Sequence, residues 1–266
     1  MNELVTDPAR LFSVRDKVAV VTGASGSFGS LASRVLAAAG ARLVLAAGKQ
    51  AELEATAQCC RELGAEVVAV ARRPDTEGDC EAMMQAGVDH FGGLDILVVG
   101  SGLNDVSLIG EMSPERFENV MHGNVTGAWL LCRAFGKHVI GQGRGGKVVL
   151  VSSARGKLGH PAGYTAYCAS KAATDGLTRA LGCEWGKHGI TVNAIAPTVF
   201  RSPLTAWMFE DNDKARTTRN GMLARIPLGR LGEPADLAGP LLFLASRASD
   251  FYTGHILYAD GGYTAG

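Results

Sequence analysis

Lys17–Gly29 reads KVAVVTGASGSFG, and the reading of this stretch decides the fold. Val18 to Val21 form an apolar run that predicts a strand, and the turn after it is rich in glycine. Beyond the turn, Phe28, Leu31, Ala32, Val35 and Leu36 recur at helical spacing. A strand, a glycine turn and an amphipathic helix in this order make a cradle for phosphate. Glycines let the backbone approach a pyrophosphate, and the free N–H groups at the helix start bind its negative charge. Gly40 stops the helix, and ARLVLAA (41–47) supplies the second strand of a βαβ unit. The expected ligand is a dinucleotide.

Strands alternate with helices along the whole chain, which demands parallel pairing. The expected strands are Lys17–Thr22, Arg42–Ala46, Glu66–Ala71, Ile96–Val99, Lys147–Ser152, Thr191–Ile195 and His255–Ala259. Seven of them predict an α/β fold with a Rossmann-type, doubly wound parallel sheet, covered by helices on both faces. Two long helices are expected over about Pro114–Gly141 and Tyr164–His188. The 266 residues suit one domain of this class, with no repeat or low-complexity tract. The stretch at about 199–223 is too long for a simple crossover and reads as a substrate lid, with Phe200, Leu204, Trp207, Met208 and Phe209 as a candidate apolar inner face.

Lysine plus arginine equals aspartate plus glutamate, 26 each, so nothing in the charge points to nucleic acid or to an anionic membrane. No apolar run reaches the roughly 18 residues of a bilayer span, and MNELVTDPAR lacks a secretory core, so a cytoplasmic protein is expected. Cys59, Cys60, Cys80, Cys132, Cys168 and Cys183 show no metal-site spacing and read as reduced thiols. No metal site is expected.

YCASK places Tyr167 and Lys171 four residues apart, so on a helix the phenol and the ammonium share one face. A tyrosine ordinarily titrates near pH 10, and a fixed cation nearby lowers that value. Upstream, the strand in GKVVLVSSARG ends in Ser152 and Ser153, at the carboxyl edge where ligands bind in an open parallel sheet. A serine pair there can also cap the next turn.

With these motifs the chain resembles the short-chain dehydrogenase/reductase family from about Phe12 to Gly262. The resemblance rests on the glycine pattern of TGASGSFG, on YCASK, on Ser153 14 positions before Tyr167, and on the asparagine of HGNVTGAWLLC. It implies that Tyr167 is the general acid or base, with Lys171 its pKa depressor and a ribose ligand. Ser153 would hold the substrate oxygen, and Asn124 would keep a proton-relay water in place. The implied reaction interconverts a ketone or aldehyde and an alcohol, and the implied assembly is a homodimer or homotetramer formed through the long helices. The implied cofactor contacts come from Gly23, Ser25, Ser27, Phe28, Gly29, Ala47, Gly48, Lys49, Arg73, Gly100, Gly102, Pro197 and Val199, besides Tyr167 and Lys171.

Several cofactor positions depart from the family pattern. Ser27 replaces its middle glycine, and DILVVGSG stands for DILVNNAG, so side-chain hydrogen bonds of the two asparagines are lost. Arg73 and Pro74 take the place of an aspartate and a valine, and Thr198 follows Pro197 where a glycine is usual. At the end of the second strand, Ala47 offers no acid for the ribose of NAD and Gly48 no arginine for the 2′-phosphate of NADP. Lys49, Arg72 and Arg73 lie close by, and their charge favours NADP(H) over NAD(H). The departures also motivate a reading from a different class, a dehydrogenase-like binding or regulatory protein with impaired cofactor use.

Overall fold

The computed structural model describes residues 6–203 and 205–266. Seven strands form one sheet: β1 (Val18–Thr22), β2 (Arg42–Ala46), β3 (Val67–Val70), β4 (Ile96–Val99), β5 (Gly146–Val151), β6 (Ile190–Pro197) and β7 (Ile256–Ala259). Their spatial order is β3-β2-β1-β4-β5-β6-β7, and every pairing is parallel. The expected fold is therefore the observed one. The chain winds outward from β1 to β3, returns beside β1 as β4, and winds outward again. A crevice forms at that reversal, between the carboxyl ends of β1 and β4.

All five residues of β1 are buried, which explains why the strand reads as a continuous apolar run. Val18 and Val20 enter the core on one face, with Met83, Met84, Leu131 and Phe135. Ala19 and Val21 enter the other, with Leu36, Leu53 and Leu241. The first face is covered by α3 (Glu77–Phe91), α5 (Gly127–Gln142) and α6 (Thr165–Trp185), the second by α1 (Ser27–Ala38), α2 (Gln50–Glu62) and α8 (Ala235–Ala245). Each valine or leucine so buried contributes about 1.5–3 kcal/mol.

Where bounds differ from the sequence expectation, pairing explains the difference. The third strand is shorter than Glu66–Ala71, because β3 lies at the sheet edge with β2 as its one partner. The sixth outruns Thr191–Ile195 at both ends, because β6 pairs with β5 along Ile190–Ile195 and with β7 along Ala194–Pro197. The expected helix Pro114–Gly141 is interrupted. α4 (Pro114–Met121) passes into a π turn, His122–Thr126, before α5 begins, and the Gly127 N–H donates to the His122 carbonyl five residues back. The second long helix ends at Trp185 and tightens into a 3-10 turn, Gly186–His188.

Between β6 and α8 lie a 3-10 turn, Ala206–Phe209, and α7 (Asp213–Leu223), capped by Asn212, whose side chain accepts from the Ala215 N–H at 2.9 Å. Arg219 ties the two pieces together by donating to the Met208 carbonyl at 2.6 Å. Met208 and Phe209 pack with Ala154, Ile226 and Tyr263 in a small third core. Trp207 does not join them: it is 41% exposed, and Phe200 packs instead against the main core and Gly232. Leu204 lies outside the described residues. The six cysteines are free thiols, and burial pushes Cys60 up to about 11 and Cys80 and Cys132 to about 12. Among the described residues, no helix is long and apolar enough to cross a membrane.

Candidate active site

The glycine turn is pressed against the end of β4. Gly23 has φ +63, and a Cβ there would lie 2.6 Å from the Gly100 carbonyl carbon and the Ser101 nitrogen, so neither the conformation nor the space admits a side chain. Gly29 backs onto the Gly23 carbonyl from inside α1, and the Ala24 N–H reaches the Ala46 carbonyl at the end of β2. Thr22 and Ser101 share a hydroxyl hydrogen bond at 3.1 Å, a cross-strand tie in the segment that lacks the two asparagines. α1 starts at Ser27 after Gly26, and no side chain caps it. Its first N–H groups are thus left to a ligand, which is what a pyrophosphate requires. Ser25 is half-buried in the turn, Ser27 is exposed at the helix start, and Phe28 leans on the core below.

At the end of β2, Ala47 is buried and Gly48 is exposed. The stem of Arg73 lies across Gly48: a Cβ on the glycine would come within 2.6 Å of the arginine Cγ. A cation from the loop after β3 therefore covers the position where the second strand itself carries none. Lys49 pairs with Glu52 at 3.0 Å and Arg72 with Asp79 at 2.7 Å, while Arg73 is 60% exposed and only loosely paired with Asp75 at 3.6 Å.

Ser153, Tyr167, Lys171 and Asn124 converge beyond the ends of β4 and β5. The π turn seats Asn124 below the surface, where its Oδ1 accepts from the Leu103 N–H at 2.7 Å and its Nδ2 donates to the Leu103 carbonyl (2.8 Å) and to Ser170 Oγ (2.9 Å). Gly102 faces this group: a Cβ there would lie 2.9 Å from Asn124 Oδ1 and 3.8 Å from Lys171 Nζ. Lys171, on α6, donates to the Val151 carbonyl at 2.7 Å, and its ammonium lies over the Tyr167 ring, 5.6 Å from the centroid. Ser153 caps the turn Ala154–Gly156 by accepting from the Arg155 N–H at 3.1 Å, and its hydroxyl lies close enough to lower the Tyr167 phenol. The serine pair is thus divided, since Ser152 donates to the buried carboxylate of Asp175. Pro197 ends β6 opposite Ala259, and Val199 belongs to the third core.

One electrostatic expectation is corrected. Burial raises the Tyr167 phenol above its ordinary range, while the Ser153 hydroxyl and the charge of Arg155 draw it partly back. Lys171 is not among the groups that set the direction, and burial drives its own ammonium down to about 8. Asp175, one turn further along α6, tends to hold that ammonium charged; burial raises the carboxyl in turn, against Ser152, Arg179 and Lys171. Sequence reasoning passed over Asp175, although its spacing from Lys171 is the same four residues that marked Tyr167. It also passed over Arg155, two residues after Ser153. Among the described residues, no group of three or more histidine, cysteine or acidic side chains is arranged to hold a metal.

A family model described as enoyl-(acyl carrier protein) reductase matches residues 23–264. An uncharacterised oxidoreductase of Mycobacterium tuberculosis is 55% identical over 96% of this chain and 93% of its own length. Galactitol 2-dehydrogenase of Cereibacter sphaeroides is 36% identical over 97% and 99%. Among solved structures, a putative 2-deoxy-D-gluconate 3-dehydrogenase from Agrobacterium tumefaciens with bound NADP superposes with a TM-score of 0.85 at 34% identity, over 96% of this chain and 99% of that one. The chain belongs to the short-chain dehydrogenase/reductase family of oxidoreductases.

Proposed function

We propose that the protein interconverts a ketone or aldehyde and an alcohol with a nicotinamide dinucleotide, preferring NADP(H) to NAD(H). The observation that carries this reading is the convergence of Ser153, Tyr167, Lys171 and Asn124 beside the β1/β4 crevice, into which the uncapped start of α1 also opens. When bound, the dinucleotide supplies or accepts the hydride. Ser153 holds the substrate oxygen, and Tyr167 gives that oxygen a proton in reduction or removes one in oxidation. Burial keeps the phenol protonated, which readies it for reduction. Lys171 is the ribose ligand, and Asn124 holds the relay water.

The preference for NADP(H) is supported by Ala47, which sets no carboxylate against a 2′-phosphate, and by Arg73, whose guanidinium stands over Gly48 with a weak partner. The NADP bound to the Agrobacterium protein supports it further. The relatives' names divide over substrate, galactitol being a neutral polyol and 2-deoxy-D-gluconate an acid. The segment around Ala206–Leu223 acts as the lid, within a single catalytic domain. The protein works in the cytoplasm as a homodimer or homotetramer, a reading supported by Trp129 and Ile140, which α5 leaves exposed. The test is a fluorescence titration with NADPH and NADH, followed by a carbonyl panel with the tighter binder. Tighter binding of NADPH and turnover of a carbonyl are expected; binding of neither up to millimolar levels favours the regulatory protein.

A further inference from the structure

Among the described residues, two guanidinium groups beside the tetrad have no carboxylate partner. Arg155 and Arg225 both stack on the ring of Tyr263, at 5.5 and 4.3 Å from its centroid. Arg155 donates to the Gly159 carbonyl at 2.8 Å and to the Tyr263 hydroxyl at 3.0 Å, which leaves three of its five N–H donors unassigned. Among the described residues neither arginine has a carboxylate within 4.0 Å. Three neighbouring arginines are paired with carboxylates, Arg201 with Glu233, Arg216 with Asp211 and Arg230 with Asp236, while Arg219 is held by the Met208 carbonyl. Asp260, on the same C-terminal segment as Tyr263, turns its carboxylate onto Gly262 and Thr264 instead.

The pair lies at the substrate end of the site. Arg155 follows Ser153 by two residues, a backbone reach of at most about 7 Å. The charges of both arginines, after burial, hold the His160 imidazole below its ordinary range. His160 Nδ1 accepts from the Ala162 N–H at 3.1 Å, so the neutral ring carries its proton on Nε2 and offers a donor. That ring lies 4.5 Å from Tyr164, which meets Tyr167 edge-on at 6.3 Å. One wall thus runs from the reacting tyrosine through Tyr164 and His160 to two guanidinium groups without a carboxylate partner among the described residues.

We infer that the substrate is a short hydroxy acid or oxo acid, with its reacting oxygen at Ser153 and Tyr167 and its carboxylate held by Arg155 and Arg225. This deepens the reading above and rests on it. An anion there gives both guanidinium groups the kind of partner that Arg201, Arg216 and Arg230 already have, and Arg225 lies just beyond the end of α7. A neutral polyol gains only ordinary hydrogen bonds, whereas a carboxylate gains charge-assisted, bidentate ones.

The experiment uses the full chain preloaded with NADP+ or NAD+ and measures binding by calorimetry at constant ionic strength, with gluconate against glucitol and tartrate against threitol. Each acid is expected to bind about tenfold tighter than its matched alditol. Arg225→Gln should remove most of that advantage while changing alditol affinity less than about twofold, and Arg155→Gln should act in the same direction. Equal affinities, failure of both classes on protein that binds the dinucleotide, or an advantage that survives both substitutions overturns the inference and leaves the oxidoreductase reading standing. Failure to bind either dinucleotide defeats both. Arg225 is exposed, so its variant remains decisive even if Arg155→Gln misfolds.

Discussion

Replacing Asn124 with alanine should destabilise the protein even before any ligand is added. The side chain makes three hydrogen bonds, two of which clamp the N–H and carbonyl of Leu103 after β4, and the third ties the π turn to Ser170 on α6. Each such bond contributes about 0.5–1.5 kcal/mol net, and a group left unpaired in the interior costs about 1–3. Leu103 is half-buried, so water can take over part of its pairing, and Ser170 keeps its own bond to the Tyr167 carbonyl at 2.8 Å. The loss should therefore be about 3 kcal/mol. At about 2.1 cal/mol/K per residue, a chain of 266 residues has an unfolding entropy near 0.56 kcal/mol/K, so Tm should fall by about 5 °C. Thermal denaturation followed by circular dichroism, with no dinucleotide present, measures this. A fall of less than 1 °C would refute the claim that Asn124 is the clip joining β4, the π turn and α6.

Lys171 gives a pH test. Its folded-state value is lowered to about 8, so between there and its ordinary value near 10.5 the unfolded chain binds the extra proton. Charging this buried group thus destabilises the fold by about 3 kcal/mol below pH 8, and the cost is relieved as pH rises from 8 toward 10.5. Lys171→Met should be more stable than wild type at pH 7.5, and the gap should narrow by pH 10; urea titrations showing a pH-independent difference contradict this. Arg73→Ala should weaken NADPH about tenfold, the worth of one charge-assisted contact, and NADH less than twofold. Equal losses for the two would remove Arg73 from the choice of cofactor. Light scattering on the purified protein should give the mass of two or four chains, and Trp129→Glu should shift it downward; a monomer in the wild type disproves the assembly.

The fold was legible because its signals are periodic and repeated. Val18–Val21 and Arg42–Ala46 stand apolar between turns, and the helices between strands leave the chain no topology but a parallel one. Which residues converge was legible as well: Tyr167 and Lys171 share a helical face, and Ser153 follows the end of β5 by two residues. What escaped was whatever distant segments create on meeting. Arg73 covers Gly48 although 25 positions separate them, and Thr22 bonds Ser101 across the sheet. The π turn leaves no mark in HGNVT, because the insertion is held by Leu103, 21 positions upstream. The direction of the Tyr167 shift was misjudged for the same reason. Spacing reveals a neighbouring charge, but burial is a property of the whole packed site.

Tyr167→Phe tests the central claim most directly, with dinucleotide binding and turnover measured on the same preparation. The substitution removes one hydroxyl and keeps the ring over which the Lys171 ammonium lies. The account predicts dinucleotide affinity within about threefold of wild type, and a kcat reduced by at least about a hundredfold, the low end of what a positioned acid or base contributes. Turnover near the wild-type rate contradicts it.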